Sequence, residues 1–243
     1  MFDLKLTARV ALAAALLGAS VAASAALVTS RGALGGDDFF DWGQFPLPST
    51  PDPTPFGTPA DATSSLLRTA SVSNPNGDIY RFDEGPGTFG GRFLTGEKLL
   101  FTNFDNGPIS VSFTNLIGRV GAQVFPGSGL DFFAVLTAFN SSNDEVEKVE
   151  VSGSGVGPTN IRFDGAAPFI GITRASADIR RVEFSVRYAD PLQTDLSVAI
   201  NQLDFGLRGT GTDDGGGQTP TPATLALVSL GLLGLWRSRR NPR

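Results

Sequence analysis

The stretch Arg181-Val182-Glu183-Phe184-Ser185-Val186-Arg187-Tyr188 alternates strictly between polar and apolar residues. Successive side chains of a β-strand point to opposite faces, so Val182, Phe184, Val186 and Tyr188 share one face and the polar residues the other. A helix would scatter the same residues around its axis. Working outward, Ile109, Val111 and Phe113 alternate with Ser110 and Ser112 in the same way. The run 131–139 is apolar on both faces, as a central sandwich strand would be. Asn140-Ser141-Ser142-Asn143-Asp144 then makes a turn into 146–151, so 131–151 predicts a hairpin. Further strands are predicted at 66–72, 79–82, 91–94, 98–103, 119–125, 160–163, 169–173 and 196–207. No long stretch of the body has a 3.6-residue period. Many short strands with Gly/Pro turns predict an all-β chain, with one β-sandwich or jelly-roll-like domain over 64–208.

Composition closes several mechanisms. The 243 residues include no Cys and no His. That removes Ser-His-Asp triads, His-ligated zinc, thiolate nucleophiles, Fe–S clusters and disulfides. Carboxylate chemistry, oxygen-ligated cations such as Ca²⁺, or no chemistry remain. The net charge of -5 is unevenly spread. Residues 1–25 and 220–243 hold six of the 19 basic residues and one of the 24 acids, leaving 13 and 23, a net -10. An acidic middle argues against nucleic acid as a partner, because phosphates need a basic footprint.

The two ends read as addresses. In residues 1–25, Lys5 and Arg9 form a basic start, 10–17 an apolar core, and Ala23-Ser24-Ala25 a small-x-small cleavage site, as in a signal peptide. Residues 26–63 form a Pro-rich segment, with six prolines over 46–59, and 209–219 a Gly-rich linker. Residues 220–243 bring Pro220-Thr221-Pro222, a Leu-rich apolar run over 223–236, and then Arg237, Arg239, Arg240 and Arg243. The run is shorter than the roughly 20 residues of a stable spanning helix. With arginines behind it, it reads as a stop-transfer transmembrane helix that keeps them cytoplasmic.

This tail resembles the PEP-CTERM sorting signal of exopolysaccharide-producing Gram-negative bacteria. The matching residues are Pro220, Thr221 and Pro222, Leu230-Gly231-Leu232-Leu233-Gly234-Leu235, and Arg237, Arg239 and Arg240. Thr221 stands where that family usually carries Glu. The resemblance implies transient membrane anchoring, processing by an exosortase, and delivery to the cell surface or extracellular space. The body is similar to the secreted β-sandwich domains found upstream of such tails. Asp41-Trp42-Gly43-Gln44, Val120-Gly121-Ala122-Gln123-Val124 and the closing phrase Ala199-Ile200-Asn201-Gln202-Leu203 carry that similarity, which covers most of 37–208.

Candidate sites are sparse, and each has a bland alternative. Asp37, Asp38 and Asp41 offer oxygens to Ca²⁺; alternatively they form a solvated acidic turn. Trp42 is the aromatic nominated for stacking on a glycan; alternatively it packs the N-terminal segment onto the sandwich. Asn201 or Gln202 binds a ligand, or else these side chains hydrogen-bond neighbouring loops; Asp204, Asp213 and Asp214 read as solvated acids. Asn143-Asp144-Glu145 reads as a solvated hairpin tip. No motif designates a catalytic residue, and no cofactor is expected beyond Ca²⁺. The leading expectation is an exported, surface-sorted, non-enzymatic protein of the exopolysaccharide or biofilm matrix. The alternatives are a secreted, lectin-like carbohydrate-binding module, Ca²⁺-dependent in one version, and a carboxylate-based glycoside hydrolase.

Overall fold

The computed structural model describes residues 25–47, 55–85, 89, 92–103, 105–127, 129–155, 166–188, 190, 192–193 and 196–208. Fourteen strands run through them: β1 Ala26–Val28, β2 Asp38–Phe40, β3 Ala60–Thr63, β4 Thr69–Ser73, β5 Tyr80–Asp83, β6 Lys98–Phe101, β7 Ile109–Ile117, β8 Arg119–Pro126, β9 Phe132–Phe139, β10 Glu145–Gly153, β11 Phe169–Thr173, β12 Ile179–Tyr188, β13 Val198–Ile200 and β14 Leu203–Gly206. A short helix, α1 (Arg31–Leu34), and a 3-10 turn, Trp42–Gln44, lie between strands.

Two antiparallel sheets result. One has the order β10-β9-β12-β7-β4-β3. The other has the order β1-β11-β8-β13-β6-β5, with β14 joining β8 to β2. The alternation in β12 sorts as its period requires. Val182, Phe184, Val186 and Tyr188 are buried, whereas Arg187 is exposed and Arg181, Glu183 and Ser185 are half-buried. Phe132, Ala134, Leu136 and Ala138 of β9 and Ile109, Val111 and Phe113 of β7 complete that inner face. Val120, Ala122 and Val124 of β8 and Ile170 and Ile172 of β11 join them in one core cluster. The predicted hairpin is present as β9–β10, with its turn at 140–144.

Four expectations are corrected. The segment 26–63 is not separate from the sandwich. β1 pairs with β11, β2 with β14 and β3 with β4, and Phe40 and Trp42 are fully buried. The predicted strand 66–72 begins only at Thr69. Residues 64–68 turn instead, because the Asp38 carboxylate gathers the Ser64 and Ser65 hydroxyls and the Leu66 N–H around itself. Arg92, Phe93 and Leu94 form no strand. The single strand predicted over 196–207 is two strands, β13 and β14. They break at Asn201-Gln202, so that both can pair with β8.

The predicted strand 160–163, the signal peptide through Ser24, the linker 209–219 and the whole sorting tail lie outside the described residues. So do Ala23, Pro220, Thr221, Pro222, Arg237, Arg239 and Arg240. Among the described residues no helix is long and apolar enough to cross a membrane.

Candidate functional site

The break at Asn201 is a densely hydrogen-bonded point of the sandwich. The Asn201 carboxamide oxygen accepts from the Gln123 N–H at 2.9 Å and from Arg31 at 3.3 Å. Its NH₂ donates to the Gln123 side-chain oxygen at 2.6 Å and to Glu97 at 2.8 Å. Both donors and both acceptor positions are therefore used. Asp204 forms an ion pair with Arg31 and accepts from the Gln202 side chain at 2.9 Å. Burial raises the Asp204 pKa above the ordinary carboxylate value, and Arg31 and Gln202 only partly offset it. Raised carboxyl values serve as general acids in some enzymes. Here both oxygens are engaged within the seam, so Asn201, Gln202 and Asp204 tie the N-terminal segment to β13 and β14.

Trp42 belongs to the same seam. Its ring is fully buried, and its indole N–H donates to the Asn201 main-chain oxygen at 2.7 Å. Phe40 stacks on it with ring centroids 5.9 Å apart. A sugar needs an open aromatic face, and Trp42 offers none; the glycan-contact expectation for this residue is overturned. The neighbouring residues explain its position. Asp41 caps the 3-10 turn by accepting from the Gly43 N–H at 2.7 Å. Gln44 grips Thr63, accepting from its N–H at 2.7 Å and donating to its carbonyl at 3.2 Å.

The acidic trio is likewise occupied. Asp38 accepts from the Ser64 hydroxyl at 2.6 Å, the Ser65 hydroxyl at 2.7 Å, the Phe39 N–H at 2.8 Å and the Leu66 N–H at 3.1 Å. Burial alone would raise its pKa, but these donors outweigh burial and hold it below the usual carboxylate value. Asp37 pairs with Arg68 at 3.2 Å, and Asp41 is spent on its cap. Among the described residues no three His, Cys, Asp or Glu side chains gather as a metal-holding group. Both Asp38 oxygens and one oxygen each of Asp37 and Asp41 already meet protein donors.

The outer face of the six-stranded sheet presents a different arrangement, which no motif announced. Asp61 of β3, Thr69 and Ser71 of β4, Ser112 and Thr114 of β7 and Arg180 of β12 line a shallow trough of about 450 Å³. The Thr69 and Thr114 hydroxyls are 2.7 Å apart. Arg180 donates to the Thr114 carbonyl. Hydroxyls flanked by one carboxylate and one guanidinium can exchange hydrogen bonds with a polyol or another neutral polar ligand. The outward hydroxyls of each strand were legible from alternation. Their meeting across β4 and β7 depends on register, which no single strand encodes.

On the same face Arg181 lies over the Phe139 ring at 3.7 Å and Arg187 over Phe133 at 3.9 Å. Arg187 also pairs with Glu150 at 2.5 Å. Each guanidinium occupies a ring face on which a sugar would otherwise stack.

No protein-family model matches the chain, and no curated protein matches it. Among solved structures, the chain is similar to the crystal structure of a DUF4465 family protein from Bacteroides caccae. The identity is 12% and the TM-score 0.38, over 75% of this chain and 99% of that one.

Proposed function

We propose that this chain is an exported, non-enzymatic β-sandwich protein, sorted to the cell surface by an exosortase-type enzyme and working in the exopolysaccharide matrix. One observation carries the reading. The sandwich begins at Ala26, directly after Ala23-Ser24-Ala25, and Ala26 is already paired with Thr173. A leader removed at that point would leave every described strand in place. The tail lies beyond Arg208, the last described residue, so both addresses flank a body that has its own core. The absence of Cys places no demand on oxidative folding after export. Mass spectrometry of the protein from an exosortase-bearing Gram-negative host tests this. The expected product starts at Ala26 and lacks the Arg-rich end. A cytosolic product running from Met1 to Arg243 overturns it.

A carbohydrate-binding role is a second reading, favoured by the hydroxyl trough rather than by Trp42. Isothermal titration with the host's own polysaccharide tests it. The expected result is binding weakened about tenfold by Arg180→Ala and by Asp61→Ala, in line with the loss of a charge-assisted hydrogen bond. Binding unchanged in both variants removes the trough from consideration.

A further inference from the structure

The turn 64–68 shows an arrangement that the fold does not require. Leu67 sits in the left-handed region at φ 62, where a bulky side chain is disfavoured. It is 81% exposed, and Leu66 beside it is 56% exposed. Leu116, at the end of β7, is 40% exposed. The Thr69 and Thr114 hydroxyls are 2.7 Å apart, so Leu67 and Leu116, each two residues further along its chain segment, lie at the same end of the antiparallel β4–β7 pair. A strained leucine that faces water contributes no burial to its own sandwich.

The same end of the sandwich is where the body ends. Leu66 N–H binds Asp38, Asp38 is paired with Phe205, and the Gly206 carbonyl accepts from Gly118 at 2.9 Å. The Arg208 carbonyl accepts from Arg119 at 3.1 Å. Residues 209–222 separate Arg208 from the apolar run, a span of at most about 50 Å even if fully extended. Two arginines sit at this end: Arg180 follows Ile179, which pairs with Ile117 next to Leu116, and Arg119 opens β8 two residues after Ile117. Arg119 donates to the Gly35 and Arg208 carbonyls and Arg180 to Thr114, and neither is in an ion pair among the described residues.

We infer that this end is a lipid contact: Leu66, Leu67 and Leu116 enter the interface of an anionic bilayer, and Arg119 and Arg180 meet its phosphates. The inference rests on the reading of the tail as a membrane anchor. Exposed leucines next to cations are the chemistry of interfacial membrane contact, in which apolar area and attraction to anionic headgroups add. The contact would hold the exit end of the body at the membrane before processing, and be given up on release.

The absence of native Cys allows a single probe. Full-length chain carrying pyrene on Leu67→Cys is reconstituted in vesicles of phosphatidylcholine and phosphatidylglycerol, with and without doxyl-labelled phospholipid. Leu192→Cys is the control: Leu192 is 83% exposed and follows β12 at the opposite end of the sheet. The expected result is quenching of the Leu67 probe by about twofold or more, with the Leu192 probe unchanged. Adding Leu66→Asp and Leu116→Asp abolishes the difference. If the chain floats with the vesicles but both probes respond alike, the lipid contact is wrong and the anchor stands. If the chain does not float, both readings fall. Pyrene excimer emission at Leu67 without doxyl quenching assigns the patch to a second copy of the chain, which also overturns the lipid contact.

Discussion

The Trp42 indole nitrogen lies 2.7 Å from the main-chain oxygen of Asn201, a residue 159 positions later. This bond closes the sandwich: it fastens the first part of the body to the break between the last two strands. Trp42→Ala should destabilise the protein by about 3–5 kcal/mol through the cavity it leaves. Trp42→Phe should keep most of the packing and lose about 1 kcal/mol from the orphaned carbonyl. Urea unfolding measures both. Polysaccharide affinity of the folded variants should equal that of the parent, which a sugar-stacking Trp42 would not allow.

Asp38 and Asp204 should respond to acid with opposite signs. The folded Asp38 pKa lies below its value of 3.8 in the unfolded chain. Its contribution is therefore fully present above that value and lost as pH falls through the folded pKa. Asp38→Asn should cost at least about 2 kcal/mol at pH 7 and flatten the acid limb of the stability curve. Asp204 is raised, chiefly by burial. Its ionised form is disfavoured in the fold, so its contribution improves as pH falls from above the folded pKa toward 3.8. Asp204→Asn should remove that gain on acidification and cost less than Asp38→Asn at pH 7. Urea titrations between pH 3 and pH 7 distinguish the two. Equal slopes for both variants would refute the assignment.

Leu67→Gly should stabilise the isolated protein by about 1 kcal/mol, because glycine occupies the left-handed region without the steric cost. The midpoint of thermal unfolding reads the gain. An unchanged or lowered midpoint means that Leu67 earns its conformation through packing in the fold.

Gly121 and Gly206 both pair within the larger sheet, yet their substitutions should differ. A Cβ on Gly121 would meet the Phe169 ring at 2.6 Å and the Gly171 Cα at 2.9 Å. Backbone stands on that side, so Gly121→Ala should cost about 2–3 kcal/mol. The three atoms nearest a Cβ on Gly206 all belong to the Arg119 side chain, Nε at 2.8 Å and Cδ and Cγ at 2.9 Å. Arg119 can turn aside only by giving up its bonds to the Gly35 and Arg208 carbonyls, so Gly206→Ala should cost about 1 kcal/mol, less than Gly121→Ala.

Much of the core was legible. Val182, Phe184, Val186 and Tyr188 were placed inside by alternation, and they are inside. Strand ends were less legible. Nothing near Leu66 reveals that Asp38, 28 residues earlier, captures its N–H and bends a stretch that would otherwise read as strand. The Asp41-Trp42-Gly43-Gln44 phrase was visible as distinctive, but its role was not. An aromatic beside acids suits a sugar site and a buried seam equally well until its surroundings are known.

The chain's own residues establish the strand character of the body, the inward face of its clearest strands, the loss of His and Cys chemistry, and the distinct composition of the two ends. Each of these is written in composition or in residues two positions apart. The tertiary structure alone decided that 26–63 belongs to the sandwich, that Trp42 and the Asp38 carboxylate are sealed in its seam, and that the hydroxyls of β4 and β7 face one another. Those outcomes depend on register between strands far apart in the chain. A one-residue slip would turn every such side chain to the other face, and only the packing of the whole core forbids it.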